Sequence, residues 1–113
     1  MSHITTHVLD VSLGRPAANV AVILESQSPR DEWTETARGA TDADGRLRDW
    51  VAAKTVPAGT YRLKFDTRAY FAGRKIMGLY PEVVIVFEVR DAQEHYHIPL
   101  LLSPFGYSTY RGS

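Results

Sequence analysis

AGTYRLKFD, residues 58–66, alternates without a fault. Tyr61, Leu63 and Phe65 fall on one side and Arg62, Lys64 and Asp66 on the other. A period of two with one apolar and one charged side is a strand with one face buried and one in water. Beyond it, TRAYFAGRK (67–75) loses the alternation, and Asp66 or Thr67 can cap one short helix near 67–75, ended by Gly73 or Gly78. PEVVIVFEV (81–89) resumes it, with Val83, Ile85, Phe87 and Val89 on one face. Its second face carries Val84 and Val86 between Glu82 and Glu88, an apolar outer face suited to contact with another subunit. Before the anchor stretch, residues 4–11, 19–26 and 33–41 read as strands, and DADGR (42–46) as a tight turn with Gly45 at positive φ. HYHIPLLLS and FGYSTYRGS close the chain as two more strands. Seven to eight short strands with turn chemistry between them predict an all-β sandwich of two antiparallel sheets.

At 113 residues the chain is expected to be one domain, 1–113, with a single core. Thirteen basic residues balance thirteen acidic ones, which leaves no broad field to attract nucleic acid or an anionic membrane. No apolar run approaches the length of a membrane span. The first residues lack a basic stretch followed by an apolar one, so no signal peptide is read and the expected compartment is cytoplasmic. The absence of cysteine removes disulfides, thiolate nucleophiles and cysteine metal sites.

The histidines gather at the two ends: His3, His7, His95 and His97. On a strand, His95 and His97 share a face about 7 Å apart. Leu101 lies on that face, and Tyr96, Ile98, Leu100 and Leu102 lie on the core side. His7 shares its own strand face with Thr5 and Leu9. Two imidazoles on one face, with His7 as a third, could ligate zinc, but no HExxH motif and no carboxylate spaced to orient such ligands accompanies them, so no metal is expected. DADGR resembles the start of a calcium loop but lacks the closing glutamate and helical flanks. The turn reading stands instead and directs attention to Arg46 just past it. The last four residues, Tyr110, Arg111, Gly112 and Ser113, place a phenol, a guanidinium, bare backbone and a hydroxyl together. This set suits recognition of a small polar heterocycle. No Ser/His/Asp triad is readable from spacing, which leaves water activated by histidine as the nucleophile.

THVLD with GRPA near the start, TDADGR in the middle and HYHIPLLLSPFGYSTYRGS at the end resemble the transthyretin-related 5-hydroxyisourate hydrolases. The likeness runs over essentially the whole chain. Its middle recurs in many prealbumin-like β-sandwich modules, while the terminal YRGS separates these hydrolases from the carrier transthyretin. The resemblance implies a transthyretin-like, eight-stranded sandwich with one short helix, assembled as a homotetramer with active sites at the subunit interface. It implies hydrolytic opening of 5-hydroxyisourate to 2-oxo-4-hydroxy-4-carboxy-5-ureidoimidazoline in urate catabolism, without metal or organic cofactor. By motif, the catalytic residues implied are His7, Arg46, His97 and Ser113, and the substrate-binding residues are Tyr110, Arg111, Gly112 and His95. Fold alone leaves two other uses open, a transthyretin-like small-molecule carrier and a contact-making β-sandwich module. The histidine pair and the tail weigh against both.

Overall fold

Nine strands and one helix make up the described residues, 3–52 and 56–113, of the computed structural model. One sheet holds β3 (Ala21–Gln27), β4 (Trp33–Ala40), β6 (Gly59–Phe65) and β7 (Val83–Val89) in the order β4-β3-β6-β7, antiparallel throughout. Tyr61, Leu63 and Phe65 are buried, as the alternation requires, and pair across to Phe87, Ile85 and Val83. The outer face of β7 is as apolar as expected, with Val84 37% and Val86 57% exposed.

The second sheet departs from the all-antiparallel expectation. β1 (Ile4–Asp10) runs parallel to β8 (Tyr96–Ser103) over its full length, from Ile4 opposite Tyr96 to Asp10 opposite Leu102. Parallel neighbours cannot be joined by a hairpin; here everything between the two strands forms the crossover. β9 (Gly106–Thr109) completes that side by antiparallel pairing with β8. A strand has two edges, so the other edge of β1 is shared end to end by two short pieces. β2 (Arg15–Pro16) meets Leu9 and Asp10, and β5 (Arg46–Leu47) meets Thr6 and His7. Two-residue strands have no periodicity to detect, which is why the observed total exceeds seven or eight.

Between the sheets lies one apolar core that includes Ile4, Val8, Leu24, Leu63, Phe65, Leu100 and Leu102, all essentially inaccessible to water. The helix α1 (Thr67–Gly73) starts where expected, its first turn capped by the Asp66 carboxylate accepting from Ala69 N at 3.1 Å. It stops without a left-handed glycine: Gly73 is the last helical residue, and Lys75 takes the left-handed conformation at φ +59°. A carboxylate ties the helix to the sheet. Asp10, fully buried at the end of β1, accepts from Tyr70 Oη at 2.7 Å and from an Arg74 guanidinium nitrogen at 2.6 Å.

Candidate active site

Four separate pieces of chain meet on the outward face of the β1–β8 sheet, and each is held there for a local reason. The parallel register sets Thr5 beside His97 and His7 beside Pro99. The 42–46 turn then docks on the far edge of β1. Asp42 organises that turn, its carboxylate accepting from Asp44 N at 2.8 Å and Arg46 N at 2.9 Å. Gly45 sits at φ +76°, and a Cβ there would lie 2.4 Å from the Val8 carbonyl oxygen, so the turn can approach β1 only with glycine. Val8 N donates to Gly45 O at 2.7 Å, and His7 Nε2 donates to Asp44 O at 2.9 Å. Arg46 is thereby carried to the register position opposite His7.

The tail reaches the same place by antiparallel pairing. The β8–β9 ladder runs to Leu100 opposite Thr109 and lapses opposite Pro99, which has no N–H to give. It resumes as a single bridge between His97 and Gly112, where Gly112 N donates to His97 O at 2.8 Å. A Cβ on Gly112 would sit 2.5 Å from His97 Cδ2, so the tail lies flat against the imidazole only because residue 112 has no side chain.

A cleft of about 330 Å³ results, lined by Thr5, Arg46, Arg48, His95, His97 and Ser113 together with Thr6. The rings of His95 and His97 stack with centroids 6.3 Å apart, close to the spacing expected of alternate strand residues. The Thr5 hydroxyl lies between them, 2.9 Å from His95 Nε2 and 2.8 Å from His97 Nδ1. His97 is half-buried, and that burial together with Arg46, His95 and His7 holds its pKa below the ordinary value. Burial and then Arg46 depress His7 in the same way; burial, His3 and Arg111 depress His95. All three favour the neutral imidazole, the form that can accept a proton at neutral pH.

The cleft thus joins two cations and a histidine pair on one face of a two-sheet sandwich. A family model described as the HIUase/Transthyretin family matches residues 4–112. The chain belongs to that family.

Within the HIUase/transthyretin family the chain is similar to a probable 5-hydroxyisourate hydrolase of Caenorhabditis elegans. The two are 47% identical over 111 residues, covering 97% of this chain and 81% of the worm protein. The structure of the Klebsiella pneumoniae 5-hydroxyisourate hydrolase superposes with a TM-score of 0.87 at 37% identity, all of both chains covered. Sea bream transthyretin in complex with thyroxine superposes with a TM-score of 0.91 at 34% identity, over 96% of this chain and 93% of the sea bream chain. Backbone shape therefore does not separate transthyretin from the hydrolase, and the side chains in the cleft must.

Of the residues singled out in the sequence, His95, His97, Arg46 and Ser113 line the cleft. Gly112 lies close against the His97 ring. His7 flanks the cleft, held by the Asp44 carbonyl beside Arg46. Tyr110 is 56% exposed and is absent from the lining. Arg111 turns elsewhere within the protomer: its guanidinium stacks 4.3 Å from the Tyr96 ring, donates to His95 O and faces Glu94. The Gly112–His97 bridge sets neighbouring Arg111 on the opposite side of the tail, which accounts for Arg111; simple alternation does not extend to Ser113, which lines the cleft, or to Tyr110, which does not. Thr5 and Arg48 line the cleft without having been singled out. Thr5 was readable in principle, since it shares the His7 face of β1. Its value depends on a strand partner some ninety residues away.

Among the described residues no group of three His, Asp or Glu side chains converges as a metal-binding set.

Proposed function

We propose that this chain hydrolyses 5-hydroxyisourate, the unstable product of urate oxidation, opening the ring at a cyclic acyl–nitrogen bond. One observation carries the reading on this scaffold: His97, His95, Arg46 and Ser113, from three distant parts of the chain, line a single polar cleft. A hydrophobic carrier has no use for neutral imidazoles beside a guanidinium.

The chemistry needs a water made nucleophilic, a partner for the oxyanion that forms, and a proton for the departing nitrogen. His97 Nε2 takes the proton from water as the water oxygen bonds to the acyl carbon. Arg46 neutralises the negative charge that develops on the acyl oxygen. When the carbon–nitrogen bond breaks, the proton held on His97 passes to the departing ring nitrogen, and the acyl carbon is left as a carboxylic acid that loses its remaining proton to solvent. His7 has Nε2 engaged with Asp44 O, which leaves Nδ1 as the nitrogen for exchange with the substrate side. Ser113 and the 110–112 backbone position the substrate edge.

The same reading makes the working unit a homotetramer with sites at the subunit interface. Its support is that the cleft lies on an outward sheet face and that Phe105, Tyr107 and Tyr110 lie exposed along the same closing segment of the chain. The decisive experiment forms hydroxyisourate in place from urate and urate oxidase and follows its ultraviolet decay. The protein should accelerate the decay strongly, and His97→Ala should slow kcat/KM by about 10²–10⁴-fold, the usual contribution of a general base. Decay at the spontaneous rate with the native protein would overturn the proposal and favour a carrier.

A further inference from the structure

The Thr5 hydroxyl stands between two imidazole nitrogens, His95 Nε2 at 2.9 Å and His97 Nδ1 at 2.8 Å. One hydroxyl carries one proton, so it cannot donate to both nitrogens at once. If it donates to His97 Nδ1, then His95 Nε2 must carry a hydrogen and donate to the Thr5 oxygen. His97 then holds its own hydrogen on Nε2 and cannot act as a base there. If it donates to His95 Nε2 instead, His97 Nδ1–H donates to the oxygen, and His97 Nε2 presents a lone pair. The tautomer of one ring thus sets the tautomer of the other. Burial differs along the chain of three: Thr5 is buried, His97 is half-buried and His95 is exposed to solvent.

We propose that Thr5 is a positioning residue that couples His95 to His97 and relays the proton taken from water out to the exposed ring. The step balances without any further reactant. His97 Nε2 gains the proton of the attacking water and Nδ1 releases its own to Thr5 Oγ1. The Thr5 hydroxyl proton passes to His95 Nε2, which leaves His95 as the imidazolium and His97 neutral. Return along the same path restores the hydrogen on His97 Nδ1, and His97 is a free base again once Nε2 gives its proton to the departing ring nitrogen. The charged groups around the pair favour a short-lived cation at the outer ring rather than the inner one. Arg46 from β5 and His7 from β1 face His97; His95 faces His3 and Arg111 but is open to solvent and buffer. Thr5 itself touches neither the substrate water nor the oxyanion in this scheme; it acts through His97. The inference rests on the hydrolase reading above.

The test compares Thr5→Val, which keeps the shape and removes the hydroxyl, with Thr5→Ser, which restores it. Side-chain ¹⁵N NMR reads the tautomer of each ring independently of activity. In Thr5→Val the His95 and His97 ring nitrogens should change shift together, kcat/KM should fall about tenfold, and the pH profile should change shape on its acidic limb. Thr5→Ser should recover both the shifts and the rate. His95→Gln supplies a second handle on an exposed position that keeps a polar group but accepts no proton. It should match Thr5→Val in rate, and the double variant should be no slower than either alone. Unmoved ¹⁵N shifts in Thr5→Val, or a rate loss that Thr5→Ser shares, would overturn the coupling. So would additive losses in the double variant. Failure of the native protein to hydrolyse hydroxyisourate would instead remove the activity reading, while the ¹⁵N comparison would still answer whether Thr5 couples the rings.

Discussion

Gly112 shows how little room the candidate site leaves. Its backbone is not in the left-handed region; what demands glycine is the His97 ring, 2.5 Å from any added Cβ. Gly112→Ala must push either the tail or the imidazole aside, and a displacement of about 1 Å at a reacting group can cost 10²-fold in rate. The expected result is kcat/KM lower by about 10–100-fold with Tm almost unchanged, since residue 112 contributes nothing to the core. Equal activity would mean that the tail does not brace His97. Arg46 has an effect readable through pH. A base works only when unprotonated, so the rate falls as pH drops through its pKa, and Arg46 holds both His7 and His97 below the ordinary value. Arg46→Gln removes that charge, so the acidic limb of the kcat/KM profile should move to higher pH while the plateau drops. A plateau that drops with the limb fixed would assign Arg46 to oxyanion binding alone. Histidine and arginine types were legible from the sequence because their positions follow alternation or a turn. The aim of Arg111 was not: the residue sits where the ladder has already lapsed, and an aromatic face and a carboxylate capture it locally.

The longer strands were legible as elements, β1 and β8 among them, but which strand pairs with which was not legible where the partners lie far apart in sequence. Residues 58–66 announce their own faces, and their partners β3 and β7 also show apolar positions. The parallel union of β1 with β8 leaves no local signature, because either strand alone would look the same beside an antiparallel neighbour. That union nevertheless builds the site, since it is what brings Thr5 to His97. The helix attachment is the matching case on the stability side. Burial pushes the Asp10 carboxyl up, but hydrogen bonds from Ser12 and Tyr70 and the Arg74 charge outweigh it and leave the pKa below the ordinary value. The same contact and burial raise the Tyr70 phenol to about 12. A folded-state pKa that is depressed gives stability that is complete above the unfolded value and lost as pH falls through the folded one. The helix attachment should therefore hold at neutral pH and weaken only below about pH 4. Asp10→Asn leaves Arg74 without its countercharge and should cost about 3 kcal/mol at pH 7, the lower end for a broken buried pair because Arg74 is partly solvated. Urea unfolding checks this, and the loss should shrink as pH is lowered through the acid range. A pH-independent loss would point to packing rather than charge.

For the whole molecule the question is whether one protomer is a complete catalyst. The cleft is lined from one sheet, the residue just past β5 and the chain end, and Tyr110, three residues before Ser113, is largely exposed. The outer face of β7 adds Val84 and Val86, an apolar pair at the edge of the other sheet. Exposed strand edges and apolar faces of this kind are usually covered in a stable protein. If a second copy covers the cleft, catalysis and association are linked, and mass action sets the consequence. Specific activity per subunit should then be constant at high concentration and fall on dilution in step with the sedimenting mass. Tyr110→Ala should move that transition to higher concentration, whereas a C-terminal tag should reduce activity more than an N-terminal one by crowding Ser113. Specific activity that stays flat while the assembly dissociates would make the single protomer sufficient and would confine the 110–113 segment to its own cleft. The two outcomes differ in what Tyr110 is for: in the first it packs on a partner subunit, and in the second only its neighbours Gly112 and Ser113 matter to the chemistry.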